Sequence, residues 1–205
     1  MTWSLWLGFF VAAIVIAVTP GPGAVLSMST GMRHGYRATL VAIFGLQAAL
    51  ALHLAIVAVG LGALLAASEA AFTAVKVAGA AYLVWLGIQR WRGSSPAGAT
   101  QSSAAGRGLF LQGVLVNLTN PKAIVFIAAL VPQFVDPALP LMPQYLLIGT
   151  TLCLTDVVVM SCYAIAAARI GSWLVDPHAL RLQNRVFGGL FVSAGALLAA
   201  SAKPA

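Results

Sequence analysis

Charged side chains are scarce in this sequence of 205 residues. Asp and Glu together number 4 and Lys and Arg number 11, so charged residues make up 7% of the chain, whereas hydrophobic residues make up 61%. About a quarter of the residues in an ordinary globular domain are charged. Because so few charges cannot cover a surface that faces water, the composition excludes a soluble domain and predicts an integral membrane protein surrounded by the lipid bilayer.

The side chains that enzymes and metal sites need are also scarce. The apolar segments contain one aspartate, Asp156, one histidine, His53, and two cysteines, Cys153 and Cys162. Nine positions separate the cysteines, so on a helix they point in opposite directions and are poorly placed for a bridge. No Ser or Cys has an evident His partner, and no set of metal ligands is complete. The sequence therefore predicts no enzyme activity, no cofactor and no metal site. A thiol-redox carrier and a membrane scaffold without transport stay open as alternatives.

No lysine or arginine precedes Arg33, so the charged start of a signal peptide is missing. We interpret the long apolar run at the N-terminus as the first spanning helix, because it is too long for a cleaved leader. Crossing a bilayer takes about 20 helical residues. Six segments meet this length, at about 3–31, 38–67, 70–90, 108–132, 143–167 and 186–202.

The basic residues are spread too thinly to form a nucleic-acid-binding stripe, and their distribution indicates membrane orientation instead. Eight of them lie in the first, third and fifth connections, whereas the second connection and the C-terminal tail hold one lysine each. Since cytoplasmic loops are rich in Lys and Arg, we expect both termini to lie on the outer side of the membrane.

A Gly- and Ser-rich stretch at 93–107 predicts a flexible cytoplasmic linker between two parts of the chain, 1–92 and 108–205. Each part has three predicted spans, and an odd number of spans gives the two parts opposite orientations. The predicted fold is therefore an all-α membrane protein with six transmembrane helices arranged as two inverted three-helix repeats.

The first and fourth predicted spans are each interrupted at corresponding places. Pro20 and Pro121 lie 101 residues apart, and each removes a backbone donor and clashes with the preceding turn. A half-helix that begins inside the membrane aims free N–H groups and partial positive charge at a cavity, which suits a carboxylate. The alternative is that these prolines only kink the helices. The candidate substrate-binding residues are Thr19, Pro20, Gly21, Pro22, Gly23, Asn117, Asn120, Pro121 and Lys122.

Lys122 and Asp156 are charged groups deep within predicted spans. Because a charge at the bilayer centre costs at least about 2.5–3.5 kcal/mol, we expect each of them to have a compensating partner or a function. They could form a structural ion pair, or Asp156 could carry coupling protons while Lys122 holds substrate or tunes the carboxylate. His53 is a weaker proton-coupling candidate, with a neutral packing role as its alternative.

Several motifs, in order and spacing, resemble the LysE/RhtB family of bacterial amino-acid exporters, and they run through nearly the whole chain. They are Thr19-Pro20-Gly21-Pro22, the 31–35 turn with Arg33, Ala78-Gly79-Ala80-Ala81-Tyr82-Leu83 with Leu86-Gly87, Asn120-Pro121-Lys122-Ala123, and Pro132-Gln133-Phe134.

This resemblance implies a six-span exporter of amino acids or their derivatives in the bacterial inner membrane, and the distribution of Lys and Arg then predicts periplasmic termini. It also implies that the proton gradient drives export, and it allows a homodimer. The working hypothesis is proton antiport, in which the substrate ammonium competes with a proton at Asp156. A divalent-metal or other small-solute exporter of the same superfamily is the alternative.

Overall fold

The computed structural model describes residues 1–67 and 107–170, together with single positions between 77 and 88 and between 185 and 196. All regular structure in these residues is helical, as the sequence predicts, and no strand occurs among them. Two of the described helices are long and apolar enough to cross a membrane, and a third span results if one bent helix pair is counted as one. The predicted linker at 93–107 and the predicted spans at 70–90 and 186–202 lie essentially outside the described residues.

The first helix, α1, spans Trp3–Val18, and the chain is non-helical from Thr19 to Gly21. Thr19 adopts an extended conformation (φ −68°, ψ 115°), the conformation favoured by a residue that precedes proline. The next helix, α2, begins at Pro22, where the missing N–H of proline carries no penalty. The first predicted span is thus broken at its proline-glycine sequence.

The helix α2 spans Pro22–Ala67 and contains one non-helical residue, Gly35, at φ 74° and ψ 173°. A methyl group added at Gly23 would lie 3.4 Å from the Leu46 side chain, although these two residues would be about 35 Å apart on a straight helix. The chain therefore folds back at Gly35, and α2 consists of a first arm (22–34) and a second arm (36–67). This reversal lies between the end of the first predicted span and the start of the second. Glycine is the residue that tolerates its positive φ.

The helix α3 spans Arg107–Leu118 and is followed, after Thr119 and Asn120, by α4 (Pro121–Phe134). The two axes differ by 54°. α4 begins as an α-helix, widens into a π-helical turn at Phe126–Leu130 and ends in a 3-10 turn at Val131–Phe134. The second break thus lies at the predicted Asn-Pro sequence.

The last described helix, α5, spans Leu141–Ile170 and packs against α1 and α2, while α3 packs against α2. Glycines allow these close approaches. A methyl group at Gly45 would meet the Phe110 carbonyl, and one at Gly113 would meet the Ala42 carbonyl. The second arm of α2 and α3 therefore touch backbone to backbone, which requires small residues at the crossing.

Candidate functional site

The two helix breaks lie against each other. Lys122, in the first turn of α4, extends its ammonium to the end of α1, where Nζ donates hydrogen bonds to the carbonyls of Ile16 (2.9 Å) and Thr19 (2.8 Å). A methyl group at Gly21 would lie 3.3 Å from Lys122 Cε, so the lysine stem runs directly over the first break. One side chain from the second half of the chain therefore joins both interruptions.

The carbonyls at the end of α1 explain why a cation lies there. The last carbonyls of a helix have no partner within it and carry partial negative charge. Besides Lys122, Tyr163 of α5 donates its hydroxyl to the Val18 carbonyl (2.7 Å), and the Thr19 hydroxyl donates to the Val15 carbonyl (2.6 Å). Lys122 thus contacts the backbone of the first break, an arrangement that neither sequence hypothesis for this residue included.

Two buried asparagines connect the second break to α2. Asn120 caps α4, because its Oδ1 accepts the backbone N–H of Lys122 (3.1 Å), and its Nδ2 donates to Asn117 Oδ1 (3.2 Å). Asn117 in turn donates to the Leu46 carbonyl on the second arm of α2 (2.8 Å). This chain of amides fixes where α4 begins relative to α2.

The carboxylate of Asp156 receives a hydrogen bond from an amide on another helix. Gln47 Nε2, on the second arm of α2, donates to Asp156 Oδ2, on α5, at 2.6 Å. Gln47 was not identified from the sequence as a partner of Asp156, because the two residues lie 109 positions apart. The available signal was a lone amide in the middle of an apolar span, where a polar side chain needs a partner.

A small cavity of about 40 Å³ lies where these groups meet. Its polar wall consists of Asn117, Asn120, Lys122 and Asp156. The first turns of α2 and α4 reach it through Gly23, Ala24 and Ala123, and the rest of the wall is apolar. The volume suffices for about three water molecules. Of the predicted substrate-binding and proton-coupling residues, the structure brings Gly23, Asn117, Asn120, Lys122 and Asp156 to one cavity.

The other predicted residues lie beside this cavity or away from its wall. Thr19, Pro20 and Gly21 form the first break, Pro22 begins α2, and Pro121 begins α4. His53 does not line the cavity; it lies near the backbone of Leu118, at the end of α3. Within the described stretches, its Nδ1 atom is buried without a hydrogen-bond partner.

The metal-ligating side chains are dispersed within the described residues. No three His, Cys, Asp or Glu side chains there lie close enough together to hold an ion. Cys153 and Cys162 both have free thiols.

Comparison with known proteins gives one consistent picture. The sequence profile of the LysE type translocators matches residues 14–202. The chain is 45% identical to the homoserine/homoserine lactone efflux protein of Salmonella typhimurium, over 98% of both chains. It is 46% identical to an uncharacterized membrane protein of Vibrio cholerae, over 95% of this chain and 96% of the other. It is also 31% identical to the leucine efflux protein of an Enterobacter species, over 93% of both. No solved structure matches the chain significantly.

Proposed function

Because the chain belongs to the family of LysE type translocators, we propose that it exports amino acids or small amino-acid derivatives across the bacterial inner membrane by proton antiport. The observation that carries the proposal is the cavity between the two helix breaks. It combines a lysine bound to α1 carbonyls, two buried amides and one carboxylate in an otherwise apolar wall. Polar groups of this kind inside a membrane segment are typical of a solute pathway.

The names of the relatives and the cavity wall favour the same class of substrate. Relatives that align over nearly their full length are named for the efflux of homoserine, homoserine lactone and leucine. All three compounds have an amino group, and none carries a charged side chain. The apolar surface of the cavity, which includes Leu46, Leu50 and Leu152, suits such a side chain. A charged substrate side chain would have no counter-ion there.

The helix breaks support one orientation of the substrate. Its carboxylate faces the first turns of α2 and α4, where backbone N–H groups and the helix dipoles favour negative charge. Lys122 contributes positive charge at the same wall while its ammonium is bonded to the carbonyls of α1. The substrate ammonium faces Asp156. The cavity volume of about 40 Å³ has room for only about three water molecules, so the helices separate to admit an amino acid.

Competition at Asp156 provides the coupling. A proton or a substrate ammonium can each neutralise the carboxylate. Once one of them has done so, the buried carboxyl group no longer attracts the other. Substrate therefore leaves as a proton enters. In this proposal six spans form two inverted three-helix repeats, 1–92 and 108–205, with periplasmic termini and with a homodimer as an option, and His53 serves as a secondary proton-coupling residue.

Replacing Asp156 tests the mechanism. Right-side-out membrane vesicles are loaded with labelled homoserine, leucine or lysine, and efflux is measured with and without an acidic exterior. We expect the acidic exterior to accelerate efflux of homoserine or leucine more than that of lysine. We expect Asp156→Asn to remove this acceleration, because an amide cannot exchange a proton for an ammonium.

Asp136→Asn is the matched control. Asp136 lies in the loop between α4 and α5, and its Oδ1 accepts the Ala138 N–H, a bond that asparagine preserves. This variant should retain acid-driven efflux. Undiminished acid-driven efflux in Asp156→Asn contradicts the role of Asp156, and the absence of efflux for every amino acid in the wild type contradicts the proposed function.

A further inference from the structure

Gln47 and Asp156 form a polar contact between the second arm of α2 and α5, which are also joined by a hydrogen bond between the Tyr36 and Ser161 hydroxyls. The 2.6 Å hydrogen bond joins residues 109 positions apart and is short, as expected for a donor to a charged acceptor. Lys122, on α4, and Cys153, on α5, are the other ionisable side chains that act electrostatically on or with Asp156 in the described chain. α1 contributes none, because it has no ionisable side chain.

Within the described residues, the Gln47 amide uses its N–H group but not its carbonyl oxygen. Its Oε1 atom is buried and has no hydrogen-bond donor among the described residues. A buried acceptor without a donor is costly and rare in folded proteins, so its position next to a carboxyl group calls for an explanation.

The chemistry of the two side chains supplies that explanation. An ionised carboxylate only accepts hydrogen bonds, whereas a protonated carboxyl also has an O–H to donate. A glutamine amide offers a donor on one side and an acceptor on the other, and a half-turn about its last torsion exchanges them. The N–H side of Gln47 fits the charged carboxylate, and the Oε1 side fits the protonated acid.

We propose that Gln47 is a positioning residue that bonds Asp156 in both of its protonation states. Its amide turns over as the carboxyl gains or loses a proton, so α2 and α5 stay joined at this point throughout the cycle. One carboxylate oxygen is held by Gln47 and the other is left for the occupant of the cavity. This inference rests on the proposed exchange at Asp156 and assigns a role to a residue outside the cavity wall.

The pH profile of exchange tests this role. The wild type, Gln47→Leu and Gln47→Glu are reconstituted into proteoliposomes, and exchange of labelled homoserine is measured across pH. In Gln47→Leu both forms of Asp156 lose a hydrogen bond, but the charged form loses the stronger one. We therefore expect the midpoint of the profile to move to higher pH by about one unit, the difference between a charge-assisted and a neutral hydrogen bond. In Gln47→Glu two carboxyl groups share one site, so the midpoint should move further in the same direction.

Gln133→Leu is the matched control. Gln133, in the last turn of α4, donates to the Ala129 carbonyl and is absent from the cavity wall, so its loss should leave the midpoint in place. A double-mutant cycle gives a second readout. If Gln47 acts through Asp156, then Gln47→Leu should change homoserine binding less than twofold once Asp156→Asn is present.

The outcomes separate this role from the proposed function. Exchange by the wild type with unmoved midpoints in the Gln47 variants rejects the positioning role and leaves the transporter intact. No exchange by the wild type rejects the proposed function itself. If Gln47→Leu is not recovered from membranes, Gln47→Glu, which has the size of the native side chain, carries the test alone.

Discussion

Lys122 is the residue in which the local and the long-range structure meet. Its backbone N–H donates to the Asn120 side chain that caps α4, and its ammonium donates to carbonyls at the end of α1. A lysine in an apolar segment needs hydrogen-bond acceptors as well as compensating charge, and the carbonyls of a broken helix supply both. The residue therefore stabilises the pair of breaks whatever its part in binding substrate.

Replacing Lys122 with methionine keeps an unbranched side chain that is one atom shorter and removes the ammonium donors. The Ile16 and Thr19 carbonyls then lose hydrogen bonds, and we expect the free energy of unfolding to fall by about 2 kcal/mol or more. Thermal unfolding in detergent measures the loss. Lys122→Arg retains charge and donors and should lose less. An unchanged melting temperature in Lys122→Met contradicts the structural role.

At the scale of elements, the breaks and the helix crossings follow different rules. Pro20, Pro121 and Asn120 act on their own backbone, so they set where helices end and begin. Gly45 and Gly113 act on a neighbouring helix, because their lack of a side chain lets α2 and α3 touch. A helix break can be predicted from the residues next to it in the sequence. The effect of a glycine on helix packing depends instead on which part of the neighbouring helix it contacts.

The crossing of α2 and α3 gives a prediction with an internal control. Gly113→Ala places a methyl group against the Ala42 carbonyl, so the helices must move apart, and we expect a loss of about 1–3 kcal/mol in unfolding free energy. Gly60→Ala has nothing within 4 Å in the described chain and should be neutral or stabilising by up to about 1 kcal/mol. Chemical denaturation in detergent compares the two variants; equal stabilities contradict the close packing.

At the scale of the whole molecule, the cavity is a shared product of every described helix. α1 and α4 meet through Lys122, α2 and α3 through Asn117, and α2 and α5 through Gln47. No single helix forms a polar site. Movement of any of them changes the cavity, which is the property that alternating access requires.

The orientation of the chain is a prediction at this scale. The excess of Lys and Arg in the odd-numbered connections predicts a periplasmic C-terminus and a cytoplasmic linker at 93–107. Alkaline phosphatase, which is active only outside the cytoplasm, should be active when fused after residue 205 and inactive when inserted in the linker. The reverse pattern contradicts the proposed topology.

The sequence by itself determined the features that depend on local chemistry. The scarcity of charge predicted a membrane protein, prolines predicted both helix breaks, and the Asn-Pro pair predicted the start of α4. The resemblance to the family rested on the same local motifs, and the comparisons confirmed it. These predictions hold because a proline or a cap acts within one helical turn, whatever the rest of the chain does.

Only the tertiary structure decided which polar groups became partners. From the sequence, we expected Lys122 to interact with a carboxylate or with substrate. In the structure, its ammonium donates to the carbonyls of α1. Gln47 entered the site because α2 folds back at Gly35 and its second arm packs on α5. Such partners are more than 100 residues apart, and their meeting depends on how each helix is rotated and packed against its neighbours, which no local pattern encodes.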